Sequence, residues 1–141
     1  MREIKFRGKR ESNGEWVYGD LRQENSGRKV IMTNLSTWGD NPDDVEPYGE
    51  YITVDPNTVG QFTGLLDKNG REIYEGDILL LGSNKTPYKY EVGWNNVISS
   101  FCIRLLYEKR FGVKPLGEWL FTEPMNVIGN IHDNPELLNT K

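Results

Sequence analysis

The chain lacks alanine altogether and has very little of the two residues that build most disulfide and metal sites. Its 141 residues include one cysteine, one histidine and no alanine. Because alanine is the strongest helix former, its absence beside 15 glycines and 7 prolines argues against an all-helical fold. The single cysteine excludes an intramolecular disulfide, and the single histidine excludes a metal site built on several histidines.

Long hydrophobic runs are missing as well. The longest, residues 78–81, is far shorter than the roughly 20 residues that span a bilayer. The first residues contain no apolar signal segment. We therefore expect a cytoplasmic protein that does not enter a membrane.

Strand-forming residues, in contrast, are plentiful. Five Phe, seven Tyr and four Trp lie among many Val and Ile. Apolar and polar residues alternate over residues 4–7 and 88–94, which is the period of half-buried strands, and residues 16–21 are predicted to form the strand that returns from the first one. Asn-Gly at 13–14 marks one turn, and Asn95 with Asn96 suits a two-residue hairpin loop.

These patterns predict one domain over residues 1–141. Its fold class is all-β, or at least β-dominated: a small curled sheet or partly open barrel of hairpins. Asn134 followed by Pro135 predicts a short C-terminal helix at residues 134–138, because Asn is a good N-cap and Pro a good first helical residue.

Charge is distributed unevenly along the chain. The net charge is −4, yet residues 1–30 hold eight basic and five acidic residues, whereas residues 31–60 hold six acidic residues and no basic one. Such an acidic balance argues against generic binding to a phosphate backbone. Residues 37–50 are predicted to form an acidic loop or a mobile excursion of the chain. The acids Asp40, Asp43, Asp44 and Glu46 do not match an EF-hand calcium loop, because the glycine that this loop needs at its sixth position is missing.

Possible catalytic groups each have a simpler structural explanation. His132 follows the last predicted strand, where turn residues usually make local hydrogen bonds. Cys102 lies in an aromatic and β-branched run that is typical of a packed, inert thiol. Carboxylates surround the turn at Gly76, namely those of Glu72, Glu75 and Asp77. We expect these carboxylates to make local hydrogen bonds within the turn. We therefore expect no catalytic site, no cofactor and no metal, and we expect that the protein is not an enzyme.

One segment combines cations with aromatic rings. It contains Lys109, Arg110, Phe111, Lys114 and Trp119. Proteins that bind single-stranded nucleic acid stack bases on aromatic rings while cations follow the phosphates. These five residues are therefore the candidate nucleic-acid contact, although a solvated loop explains three cations equally well.

Three stretches of the sequence resemble one known family. Residues 1–10 with 13–19, residues 59–65 with 67–78, and residues 127–138 are similar, in order, to the opening, central and C-terminal motifs of YopX-like proteins of phages and prophages. The resemblance implies expression inside a host bacterium. It supplies no assigned activity and no catalytic residues.

Together, these observations lead us to expect a non-enzymatic phage or prophage accessory protein. It would act through macromolecular contacts, either with itself as a homo-oligomer or with a host or phage protein. A single-stranded nucleic-acid-binding module is the first alternative, and an uncharacterised enzyme is the second.

Overall fold

The structure is a computed structural model, and it describes residues 2–33, 50–82 and 88–139. In these ranges it contains ten β-strands and one α-helix. The prediction of a β-dominated fold is confirmed. The predicted acidic loop at residues 37–50 lies outside the described residues, apart from Glu50. The chain divides into two compact units, residues 1–61 and 62–141.

The first unit is an antiparallel sheet. Its strands are β1 (Phe6–Lys9), β2 (Trp16–Gln23), β3 (Lys29–Thr33) and β4 (Tyr51–Val54), followed by a 3₁₀ turn at Pro56–Thr58. They are arranged in the order β4-β3-β2-β1, and the first two residues of β5 (Gly60–Leu66) pair with β1. Its apolar core consists of Val17 on β2, Ile31 on β3, and Ile52 and Val54 on β4.

This sheet curls back on itself at one end. Arg10, just after β1, forms a β-bridge with Val54 of β4. The backbone N–H of Glu11 donates to the carbonyl of Thr53 at 3.0 Å, and that of Asp55 donates to the carbonyl of Lys9 at 2.8 Å. These contacts form the predicted curled sheet of hairpins. Within the described residues they do not close a barrel.

The second unit contains the remaining strands and the helix. These are β6 (Glu72–Tyr74), β7 (Asp77–Leu81), β8 (Tyr88–Asn95), β9 (Ser100–Leu105), α1 (Leu116–Thr122) and β10 (Met125–Asn130). The later part of β5 pairs with β6, and a four-stranded antiparallel sheet has the order β10-β7-β8-β9. A 3₁₀ helix at Pro135–Asn139 follows β10, in the place of the predicted short C-terminal helix.

The core of the second unit lies between its strands and α1. It contains Ile73, Leu79, Val92, Ile103, Leu116, Met125 and Val127, each less than one tenth exposed. Leu116, Trp119 and Leu120 of α1 pack on this cluster because their spacing of three and four residues places them on one helix face.

The hairpin between β8 and β9 differs from the prediction. Asn95 pairs with Ser100, so the loop spans residues 96–99 instead of two asparagines. The side chain of Asn95 explains the wider loop, because its Oδ1 accepts the N–H of Val97 at 2.9 Å and its amide reaches the carbonyl of Gly112 at 2.9 Å. Asn95 therefore ends the strand instead of occupying the turn.

Candidate functional site

Asp67 organises the turn between β5 and β6. Its Oδ1 accepts the backbone N–H groups of Asn69 and Arg71, both at 2.8 Å. Its Oδ2 accepts the N–H of Val127 on β10 at 3.0 Å, and the guanidinium of Arg71 donates to the carbonyl of Val127 at 3.3 Å. The carboxylate thus joins the turn to the edge of β10.

These hydrogen bonds also set the acidity of Asp67. Burial alone would raise the pKa of its carboxyl group, but hydrogen bonds from Val127, Arg71 and Asn69, and the positive charge of Arg71, lower that pKa below its ordinary value. A lowered pKa keeps Asp67 ionised at neutral pH, which suits a structural anion better than a general acid or base.

The turn at Gly76 and the end of β10 are held side by side. Gly76 has a φ of +88°, and its carbonyl accepts the N–H of Ile131 at 2.9 Å. Buried Asp77 pairs in register with Asn130, and its Oδ2 accepts the N–H of Tyr74 at 2.7 Å. Two motifs far apart in sequence therefore form adjoining parts of one turn structure.

Asn130 then shapes the chain after β10. Its Oδ1 accepts the backbone N–H groups of His132 and Asp133, at 3.0 and 2.9 Å, and its amide donates to a carboxylate oxygen of Asp133 at 3.1 Å. Its own N–H donates to Oδ1 of Asn134 at 3.1 Å. His132 is half-buried in this turn.

Cys102 is fully buried on β9. Burial raises the pKa of its thiol, whose Sγ lies 3.6 Å from the carbonyl of Ser100. A protonated, inaccessible thiol is a poor nucleophile. Across residues 2–33, 50–82 and 88–139, no three His, Cys, Asp or Glu side chains are grouped so that they could hold a metal ion.

Phe111 of the predicted nucleic-acid segment packs against the sheet. A Cβ atom added to Gly93 would overlap the Phe111 ring, and the Arg104 guanidinium lies 5.3 Å from that ring's centroid. The ring therefore covers the backbone of β8. Lys109 and Arg110, just before it, are exposed.

Lys114 and Trp119, the other two predicted contacts, do meet. The Lys114 Nζ lies 4.3 Å from the centroid of the Trp119 ring, and the centroid of the Tyr90 ring lies 5.9 Å from the same centroid. Trp119 also packs on the core. Both aromatic rings of the segment thus have packing contacts within the second unit.

The sequence interpretation missed the surface formed by α1, whose most prominent residue is Phe121. Its side chain is 91% exposed, although its neighbours Trp119 and Leu120 pack on the core. The spacing of Leu116, Trp119 and Leu120 was the available signal, because a helix that buries those three positions turns position 121 outward.

Phe121 lines two clefts. One, of about 420 Å³, is lined by Lys114, Gly117, Glu118, Phe121 and Thr122. The other, of about 320 Å³, is lined by Leu66, Asp67, Lys68, Leu120, Phe121, Thr122, Pro124 and Met125. We call the residues of both clefts together the α1 surface.

A second feature that the sequence interpretation missed lies in the first unit. The Arg7 guanidinium carbon and the Lys9 Nζ lie 4.6 and 5.5 Å from the ring centroid of Trp16. Lys9 pairs with Trp16 and Arg7 with Tyr18, so all four side chains share one face of the sheet. Tyr18 is 46% exposed.

Comparison with known proteins agrees with the motifs. A family model described as YopX protein matches residues 5–139. The chain is also similar to the crystal structure of protein EF1440 from Enterococcus faecalis, with a TM-score of 0.67 and 28% identity, over 99% of this chain and 100% of that one. No curated protein matches it. In the described part of the chain, no helix has the length and apolarity needed to cross a membrane.

Proposed function

This chain belongs to the YopX protein family, and from that premise we propose that it is a non-enzymatic accessory protein that acts by binding a protein through the α1 surface. It would act in the cytoplasm of a bacterium that carries a phage or prophage, and the similarity of its motifs to those of YopX-like phage and prophage proteins supports this part of the proposal. Its partner is either a second copy of the chain or a host or phage protein.

The exposure of Phe121 carries the proposal. A phenylalanine that is 91% exposed keeps nearly all its apolar area in water, and burying such a side chain is worth about 1.5–3 kcal/mol. Leu66, 54% exposed, adds apolar area in the adjoining cleft. Aromatic anchors beside clefts are typical of the residues that dominate binding energy in protein interfaces.

The family motifs support a non-enzymatic role. Asp67, Asp77 and Asn130 accept backbone hydrogen bonds that shape turns. The Cys102 thiol is buried and its pKa is raised. The three turn residues therefore have structural tasks that explain their presence without a reaction, and the buried thiol is inaccessible to a substrate.

Site-specific photo-crosslinking in the cell that naturally produces the protein tests the proposal. A benzophenone amino acid replaces Phe121 in one variant and Val97 in another. Val97 is also an apolar residue and is 88% exposed, but it lies in the β8–β9 loop. We expect a protein adduct on irradiation at position 121 and little at position 97. Equal yields at both positions, or no adduct at position 121, would refute the proposal.

Binding of single-stranded nucleic acid is a second candidate function. The observation that favours it is the half-buried cation Lys9 at the ring of Trp16 beside exposed Tyr18, whereas Arg7 at the same ring is buried. Cations and aromatic rings on one sheet face are the groups that contact single strands. The net charge of −4 weighs against this function, and retention on single-stranded DNA at low salt tests it.

A further inference from the structure

Within the α1 surface, a projecting side chain and an apolar cleft lie next to each other. Phe121 projects from the last turn of α1. The cleft beside it is lined on its apolar side by Leu66, Leu120, Pro124 and Met125. A surface that contains both a projection and a recess can pair with a copy of itself across a two-fold axis, since each copy then supplies one projection and one recess.

The charges of this surface also suit self-pairing. The first cleft contains Lys114 and exposed Glu118, and the second contains exposed Lys68, whereas the Asp67 carboxylate is buried and bonded to the backbone. The whole chain carries −4, so two copies repel each other where acidic faces meet. The α1 surface has no excess of exposed anions and therefore avoids that repulsion. Its two cations are also too few for a nucleic-acid partner.

We infer that the occupant of the α1 surface is a second copy of this chain, bound as a two-fold symmetric dimer in which Phe121 of each copy enters the Leu66–Pro124 cleft of the other. This inference rests on the proposed function, because it names the partner for the same surface. The dimer buries the side chain whose exposure is otherwise unexplained, and it does so twice.

Sedimentation velocity of the full chain, in reducing buffer at moderate salt and over a wide concentration range, tests the inference. We expect the average mass to rise from 16.3 kDa towards twice that value as the concentration increases. Phe121→Ser removes the projection, and we expect it to weaken self-association at least about thirtyfold, the change that corresponds to the loss of a hot-spot residue. Val97→Ser, the matched control, should associate like the wild type.

A mixing experiment distinguishes this dimer from other modes of association. Leu66→Asp keeps the projection but places a charge in the cleft, whereas Phe121→Ser lacks the projection but keeps the apolar lining of the cleft at Leu66, Leu120, Pro124 and Met125. In a heterodimer of these two variants, one of the two contacts is intact, so we expect the mixture to associate more tightly than either variant alone. Circular dichroism and urea unfolding of both variants test whether the changes affect folding, and we expect both variants to fold like the wild type.

The outcomes separate the inference from the proposed function. A wild-type chain that stays monomeric at high concentration, a dimer that survives Phe121→Ser, or a mixture no tighter than its components would overturn the inference. If position 121 then still crosslinks to a different protein, the proposed function stands with another partner. If position 121 crosslinks to nothing, both fail. Benzophenone adducts that join position 121 to residues 66–68 or 120–125 of an isotope-labelled second copy support both.

Discussion

Replacing Asp67 with alanine tests whether one carboxylate holds the β5–β6 turn to β10. The change removes the acceptor of three backbone N–H groups, those of Asn69, Arg71 and Val127. The first two belong to a surface turn and can turn to water, whereas the bond to Val127 is buried. Hydrogen bonds to charged groups and orphaned buried donors each contribute on the order of 1–3 kcal/mol, so we expect a loss of about 2–4 kcal/mol in unfolding free energy.

The same carboxylate predicts how this loss depends on pH. The folded-state pKa of Asp67 lies below its unfolded value of about 3.9. Its ionised form therefore stabilises the fold fully above that unfolded pKa, and the contribution disappears as pH falls through the folded pKa. The difference between wild type and Asp67→Ala should be constant from pH 7 down to about 5 and should shrink under more acidic conditions.

Urea unfolding at a series of pH values, followed by tryptophan fluorescence, measures both effects. Asp20→Asn is the control, because Asp20 is exposed on β2 and its replacement should change the unfolding free energy by less than about 0.5 kcal/mol. The reasoning would be refuted if Asp67→Ala were as stable as the control, or if its deficit stayed the same at acidic pH.

Other predictions follow from the second unit. Gly93→Ala places a Cβ inside the Phe111 ring and should cost about 1–3 kcal/mol of unfolding free energy by urea titration, and a variant as stable as the wild type would contradict this packing. Cys102 should react with a thiol reagent at pH 8 only as fast as the chain unfolds, because burial raises its pKa; rapid labelling of the native protein would contradict that. If the predicted nucleic-acid segment binds single-stranded DNA, the double variant Lys109→Ala/Arg110→Ala should lose the salt-dependent retention of the wild type, and unchanged retention would exclude the segment.

Much of the fold was predictable because its signals are local. Alternation located β8, and His132 lies in a turn directly after the last strand, as expected. The two-residue hairpin at Asn95 was wrong for a non-local reason. Its amide bonds to the carbonyl of Gly112, 17 residues away, and no local pattern contains that contact.

The candidate site was less predictable for the same reason. Basic and aromatic residues can be read from the sequence, but whether a ring is available depends on what packs against it. Phe111 covers Gly93, and Trp119 lies between the core and Lys114. Phe121, two residues after Trp119, is exposed instead. The difference arises from the direction in which α1 faces the sheet.

By itself, the sequence determined that this chain is β-dominated, that it carries the YopX motifs, and where most of its strands and turns lie. Those properties depend on side-chain periodicity and on turn residues, which act over a few positions. Only the tertiary structure decided which apolar side chains remain in water. Burial is a property of the whole packed unit, and it is the packing of Leu116, Trp119 and Leu120 into the core that leaves Phe121 on the surface.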